Sequence, residues 1–126
     1  MNVNGQAAPY IQYAAVRANS ILRKVQFSLP ESEEIGYKLT KAEVELIDLL
    51  ARFPKEVQRA AKELRPLLIA NYSYDVARAF SNFYNTCPVL SADEKMMNFR
   101  LRLVASAKQT IINSLKLLGI EVPEIM

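Results

Sequence analysis

The sequence predicts an all-α domain, a bundle of about five helices. Apolar residues recur at spacings of three and four along nearly every segment, and no segment shows a convincing two-residue alternation. The chain has 126 residues, of which 51% are hydrophobic and 23% are charged. This length and composition suit one hydrophobic core, so we expect a single domain over residues 1–126.

The first helix is expected to begin near Pro9, because proline is well tolerated in a first helical turn. One stripe of apolar residues faces the core: Ile11, Ala14, Ala18, Ile21, Leu22 and Val25. From Gln26 to Tyr37 the pattern stops, and Pro30, a group of acids and Gly36 predict a loop.

Thr40 and Glu43 have the spacing of a capping box, in which each side chain satisfies a free backbone N–H of the other residue. A second helix is therefore expected after Thr40. Its inward residues are predicted to be Val44, Ile47, Leu50 and Phe53.

Two prolines mark the start of the next two helices. Pro54 begins a short third helix, and Pro66 opens a fourth that runs to about Asn85. The apolar face of the third helix comprises Val57, Ala60, Ala61 and Leu64. The core candidates of the fourth helix are Ile69, Val76, Ala77, Phe80 and Phe83.

Ser91 and Glu94 predict a second capping box and hence the start of a long last helix. The apolar seam of this helix comprises Met97, Leu101, Val104, Ile111, Leu115 and Leu118. Gly119 is placed to end the helix, and the tail after it is expected to be extended.

The composition excludes several kinds of enzyme. There is no histidine, the only cysteine is Cys87, and the three glycines lie far apart. Histidine-based triads, histidine-bearing zinc sites and glycine-rich phosphate loops therefore cannot be built. The net charge of +3 permits a polyanionic partner without requiring one. Without an apolar run of membrane-spanning length, we expect a cytoplasmic protein that does not enter membranes.

One flank of the first helix carries Tyr10, Tyr13 and Arg17, which cluster at about 100° per residue. Two rings and a guanidinium can hold unstacked bases and a nearby phosphate. Alternatively, the rings border the core and Arg17 pairs with an acid. Carboxylates such as Glu43, Glu45 and Asp48 are interpreted as solvated helix surface.

Further candidates lie on the later helices. Tyr84 stands at a helix end beside a turn, where its hydroxyl requires water or a partner. Basic residues that either contact phosphates or form ordinary surface are Lys55, Arg59, Lys62, Arg65, Lys95, Arg100, Arg102 and Lys108. Among them, Arg100 is the least typical of a surface, because it lies beside the apolar seam.

Three segments together resemble the anticodon-binding domain of arginyl-tRNA synthetases, also called the DALR type. The first is GQAAPYIQYAAVR (residues 5–17), which is similar to the family's glycine followed by PYxQYAxxR. The second is YDVARAFSNFYNTCPVL (74–90), and the third is RLRLVASAKQTIINSLKLLGIEVPEIM (100–126). They occur in the family's order over nearly the full length.

The resemblance implies a helical domain that binds the tRNA anticodon stem and loop. The implied binding residues are Tyr10, Tyr13, Arg17, Tyr84, Pro88 and Met126. The tyrosines would stack on loop bases, Arg17 would in part pin the first helix, and the terminal Met126 would face the loop. One departure is Ile125, which stands where the family usually has a basic or polar residue.

A domain of this kind does no chemistry and needs no cofactor. The resemblance implies that ATP and magnesium act in a separate catalytic domain, which would be a second partner beside arginine tRNA. We expect an excised, monomeric fragment. Two other hypotheses stay open: the anticodon-binding domain of another synthetase, such as the glycyl beta subunit, and a helical module that binds proteins.

Overall fold

The computed structural model describes residues 7–25 and 35–125, and these residues form five helices and no strand. The helices are α1 (Ala7–Lys24), α2 (Lys41–Ala51), α3 (Phe53–Glu63), α4 (Pro66–Thr86) and α5 (Glu94–Leu117). The predicted all-α bundle is therefore confirmed. No helix within these ranges is both long and apolar enough to cross a membrane.

Helix α4 is the centre of the bundle, because it packs against each of the other four helices. Helices α1 and α5 lie side by side and run antiparallel, so that Asn19 meets Lys108 while Gln12 meets the chain just after α5. Among the largest completely buried apolar side chains are Phe80, Phe83, Ile11 and Ile111. The spacing of apolar residues predicted all four as core residues.

Helix α1 begins at Ala7, two residues before the predicted start at Pro9. Its predicted stripe is confirmed, with Ile11 and Ala18 fully buried. Leu22 and Val25 are partly buried against the same core. Most of the predicted loop, residues 26–34, lies outside the described residues.

The Thr40–Glu43 capping box is confirmed, but the predicted inward face of α2 is partly wrong. Val44 is 42% exposed, whereas Glu43, which we interpreted as solvated surface, is completely buried. Leu46 is the fully buried apolar residue of this helix. The core-facing side of α2 is thus rotated away from Val44, and a carboxylate takes a core position because it has buried partners.

Those partners form a network around Glu43. Its carboxylate accepts hydrogen bonds from the Thr40 backbone N–H at 2.9 Å, from the Tyr37 hydroxyl, and from Arg100 Nε at 3.3 Å. Arg100 is only 4% exposed, and its Nη1 also donates to the carbonyl oxygen of Pro88 at 2.7 Å. A buried ion pair with its remaining groups satisfied is tolerated, whereas either charge alone would be costly.

The end of α3 differs from the prediction. Leu64, which we expected on the apolar face, is 86% exposed and has a left-handed backbone with φ of 52°. The Leu64 N–H bonds to Ala61 O, and the Arg65 N–H bonds to Ala60 O. This is the hydrogen-bond pattern of a Schellman motif, in which Leu64 takes the left-handed position that glycine usually occupies.

Helix α5 begins at Glu94, but the predicted Ser91–Glu94 capping box is wrong. The N-cap is Asp93, whose carboxylate accepts a hydrogen bond from the Met96 N–H at 3.0 Å. Ser91 instead lies in a turn that the Ala92 N–H closes on the Val89 carbonyl. An aspartate at this position is favoured because its charge also interacts well with the helix dipole.

We predict that Glu43→Gln destabilises the domain at neutral pH and flattens its acid dependence. Burial alone would raise the pKa of the Glu43 carboxyl, but Thr40, Tyr37 and Arg100 together hold that pKa below its ordinary value of 4.5. The carboxylate therefore stabilises the fold above pH 4.5, and this stabilisation is lost as the pH falls through the lowered pKa. Leaving Arg100 unpaired should cost roughly 3–5 kcal/mol at pH 7.

Urea unfolding of the parent and Glu43→Gln proteins at pH 7 and pH 3.5 measures both effects. Glu45→Gln is the matched control, because Glu45 is an exposed residue of the same helix. An acid dependence of the Glu43→Gln protein as steep as that of the parent would contradict the role assigned to the carboxylate.

We also predict that Leu64→Gly stabilises the domain by about 0.5–1 kcal/mol. A non-glycine residue in the left-handed region costs on the order of 1 kcal/mol or more, and glycine removes that cost. Little packing is lost since Leu64 is 86% exposed. Thermal unfolding followed by circular dichroism would show a higher melting temperature, and a lower one would refute the prediction.

Candidate nucleic-acid interface

The three predicted residues of α1 lie on the flank of that helix that faces α4. Tyr10 is 37% exposed and Tyr13 is 47% exposed, while Arg17 is partly buried. Because Tyr10 reaches Ser81 and Arg17 reaches Tyr84, the two helices run in the same direction here. Their adjacent flanks therefore form one continuous surface that carries both aromatic and basic side chains.

Arg17 joins the two helices through aromatic rings. Its guanidinium carbon lies 4.9 Å from the centre of the Tyr13 ring and 4.4 Å from the centre of the Tyr84 ring. Tyr84 is 41% exposed, so both rings keep accessible surface beside the guanidinium. Cation–π contacts of this kind orient the three side chains, whereas one interpretation of the sequence expected an acidic partner for Arg17. Tyr13, Arg17 and Tyr84 are hereafter called the aromatic triad.

Tyr10 extends this surface toward the N-terminal end of α1. Its hydroxyl donates to the Ser81 hydroxyl at 3.3 Å, and its ring lies 5.4 Å from that of Tyr74. Arg78 in turn lies 6.0 Å from the centre of the Tyr74 ring. The result is a second pair of rings with an arginine beside it, next to the aromatic triad.

The predicted turn at Pro88 lies four residues after Tyr84, and buried side chains hold it in place. Pro88 is exposed, but its carbonyl accepts the hydrogen bond from the buried Arg100. The preceding Cys87 is buried, and its sulfur lies 3.4 Å from the Thr40 hydroxyl. The N-terminus of α2 and the start of α5 thus hold the turn beside the aromatic triad. The last predicted residue, Met126, lies outside the described residues.

Sequence reasoning missed several residues of this surface. Tyr74, Arg78 and Ser81 were not among the predicted binding residues. The spacing of Tyr74 and Arg78, four residues apart on one helix face, is a signal that could have paired them. Their proximity to Tyr10 is a tertiary contact that no local spacing reveals.

The surface is suited to binding. Exposed tyrosine rings provide flat platforms for bases, and arginine provides donors for phosphate oxygens. Among the residues that the structure describes, no group of histidine, cysteine or carboxylate side chains could hold a metal ion. The arrangement therefore matches recognition of an unstacked, negatively charged polymer.

Comparison with known proteins gives a consistent family. The model of the DALR anticodon binding domain family matches residues 11–126. Arginine–tRNA ligase from Pyrococcus furiosus is 43% identical over 140 aligned positions, and that from Pyrococcus abyssi is 45% identical over 131. Each alignment covers all of this chain but only 21% of the relative. The chain thus spans about a fifth of the length of the relatives it matches.

A solved structure agrees with these relatives. The arginyl-tRNA synthetase of Thermus thermophilus superimposes with a TM-score of 0.87 at 36% identity, over 99% of this chain and 22% of that one. The family match covers nearly all of the chain and includes the helices that carry the aromatic triad and the Pro88 turn. The chain belongs to the DALR anticodon-binding domain family.

Proposed function

We propose that this chain binds the anticodon stem and loop of arginine tRNA as one domain of a cytoplasmic arginine–tRNA ligase. The observation that carries the proposal is the aromatic triad, in which Arg17 lies against the exposed rings of Tyr13 and Tyr84. The family and the names of the relatives support this function. The domain itself contributes binding, and ATP and magnesium act in the remainder of the ligase.

The proposed binding surface assigns a role to each predicted residue. Tyr13 and Tyr84 stack on splayed loop bases, and Arg17 fixes their rings while presenting donors to phosphate. Tyr10 borders the same surface. The exposed Pro88 turn and Met126 contact the loop as well.

A second surface supports contact with the remainder of the ligase. An apolar groove lies between the end of α3, the start of α4 and the end of α5, and Leu64 and Leu117 are 86% and 58% exposed there. This groove lies at the opposite end of the bundle from Tyr84 and Pro88, because it is at the start of α4 and Tyr84 is near the end of that helix. A domain that binds the loop at one end can thus contact the rest of a monomeric ligase, four fifths of the relatives' length, at the other.

The proposed function is tested by salt-titrated binding to an arginine tRNA and to the same tRNA altered only in its anticodon loop. We expect tighter binding to the unaltered tRNA. We also expect the logarithm of the association constant to fall linearly with the logarithm of the salt concentration, with a slope of about −0.7 for each phosphate that the domain neutralises. Equal affinity for both tRNAs would leave a general RNA-binding surface. If the domain bound neither tRNA at any salt concentration, a module that binds proteins would be favoured. If another tRNA competed better than arginine tRNA, the domain would be that of another synthetase.

We predict that Tyr13→Ala weakens binding of the arginine tRNA by roughly 5- to 150-fold, because a stacked base contributes on the order of 1–3 kcal/mol. Unfolding should change little since the Tyr13 ring is 47% exposed. Fluorescence anisotropy gives the affinity, and thermal melting verifies the fold. Tyr13→Phe, which keeps the ring, should bind nearly as the parent does. An unchanged affinity of the alanine variant at an equal melting temperature would refute the role of Tyr13.

A further inference from the structure

The chain reverses direction directly after α5. Gly119 has a φ of 76°, its N–H bonds to Lys116 O at 3.0 Å, and the Ile120 N–H bonds to Leu115 O at 2.9 Å. This is a Schellman motif with glycine at the left-handed position. Ile120 then packs partly buried against the core, so the tail leaves the helix in a fixed direction.

Gln12 holds the next residue of the tail. Its side-chain Nε2 donates a hydrogen bond of 2.8 Å to the backbone carbonyl of Glu121. Val122, the following residue, is partly buried against the core. Gln12 belongs to the PYxQYAxxR segment, yet neither the core nor the aromatic triad uses its side chain.

Beyond Gln12 the tail follows a cleft between α1 and α5. Residues 122–124 line this cleft together with Ala15, Asn19 and Ile112. At its far end the Lys108 ammonium donates to the Asn19 side-chain oxygen at 2.9 Å. The cleft is thus bounded by Gln12 at one end and by the Asn19–Lys108 pair at the other.

The lengths of tail and helix agree with this path. From Gln12 to Asn19 the helix advances about 10 Å at 1.5 Å per residue. From Glu121 to Glu124 an extended chain also advances about 10 Å at 3.3 Å per residue. The tail therefore runs beside α1 in the direction of that helix, toward the end of the bundle where Arg17 meets Tyr84.

The exposed end of the tail follows from this anchoring. Ile125 is 73% exposed, although Ile120 and Val122 pack on the core and the Glu121 carbonyl bonds to α1. Gln12, which holds the tail, and Tyr13 of the aromatic triad are about 100° apart around α1. The tail and the triad therefore lie on different flanks of this helix. An RNA loop on the triad would meet an apolar tail end there.

We infer that Gln12 is a positioning residue for RNA binding, which anchors the tail so that Ile125 reaches the bound loop. The inference rests on the proposed function. Gln12 does not touch RNA itself, and it acts through the hydrogen bond to the Glu121 carbonyl. Removing that bond leaves the tail free to move. Ordering the tail on binding then costs free energy, which lowers the affinity.

A double-mutant cycle tests this inference. The variants are Gln12→Ala, a deletion of residues 125–126, and the two combined, each titrated with arginine tRNA. We expect Gln12→Ala to weaken binding about fivefold, as for the loss of one hydrogen bond. The combined variant should bind as the deletion alone does, because an anchor without a tail end to position has no effect.

Two further variants separate positioning from simple stability. Gln12→Glu keeps the size of the side chain but replaces the donor with a negative charge, so it should lose at least as much affinity as Gln12→Ala. Gln109→Ala is the matched control, because Gln109 is exposed and bonds to Asn113 on its own helix. It should leave affinity unchanged.

The possible outcomes are distinct. An unchanged affinity of Gln12→Ala, or losses that add in the combined variant, would overturn the positioning role. So would a loss of affinity that only follows a lower melting temperature. Tyr13→Ala is measured in parallel to separate this inference from the proposed function. If Tyr13→Ala weakens binding and Gln12→Ala does not, only the positioning role of Gln12 fails. If the parent protein itself does not prefer the unaltered arginine tRNA, the proposed function fails.

Discussion

The buried ion pair between Glu43 and Arg100 links three parts of the chain that are distant in sequence. Glu43 caps α2, and Arg100 lies on α5 and also holds the carbonyl of Pro88. One pair of charges therefore fixes the start of α2, the α4–α5 turn and the side of α5 relative to one another. Because an unpaired buried charge is costly, neither side chain can leave this arrangement without weakening the fold.

The proposed RNA surface depends on that fixed turn. Tyr84 lies near the end of α4, three residues before the buried Cys87, and its ring must meet Arg17 on α1. The parallel alignment of α1 and α4 brings the two rings to the same guanidinium. Apolar packing alone specifies the direction of a helix less strictly than a capped, hydrogen-bonded turn does, so the polar network contributes the precision that stacking on bases requires.

The bundle also has two different ends. Tyr84, Pro88 and the path of the tail lie toward one end, and the exposed leucines of the α3–α5 groove lie toward the other. This separation agrees with the proposed function, in which one end of the domain binds RNA and the apolar groove contacts the remainder of the ligase. The Schellman motifs at Leu64 and Gly119 direct the chain at that apolar end.

By itself, the sequence determined the helices and their apolar stripes, because these depend on spacing within a few residues: Ile11 and Ala18 on α1, and Phe80 on α4, are buried as predicted. The α1 motif also indicated which residues to examine. Only the tertiary structure decided that Glu43 is buried, that Val44 is exposed and that Arg17 lies between two rings. Those outcomes depend on partners such as Arg100 and Tyr84, which are distant in the chain, and only the packing of the helices brings them together.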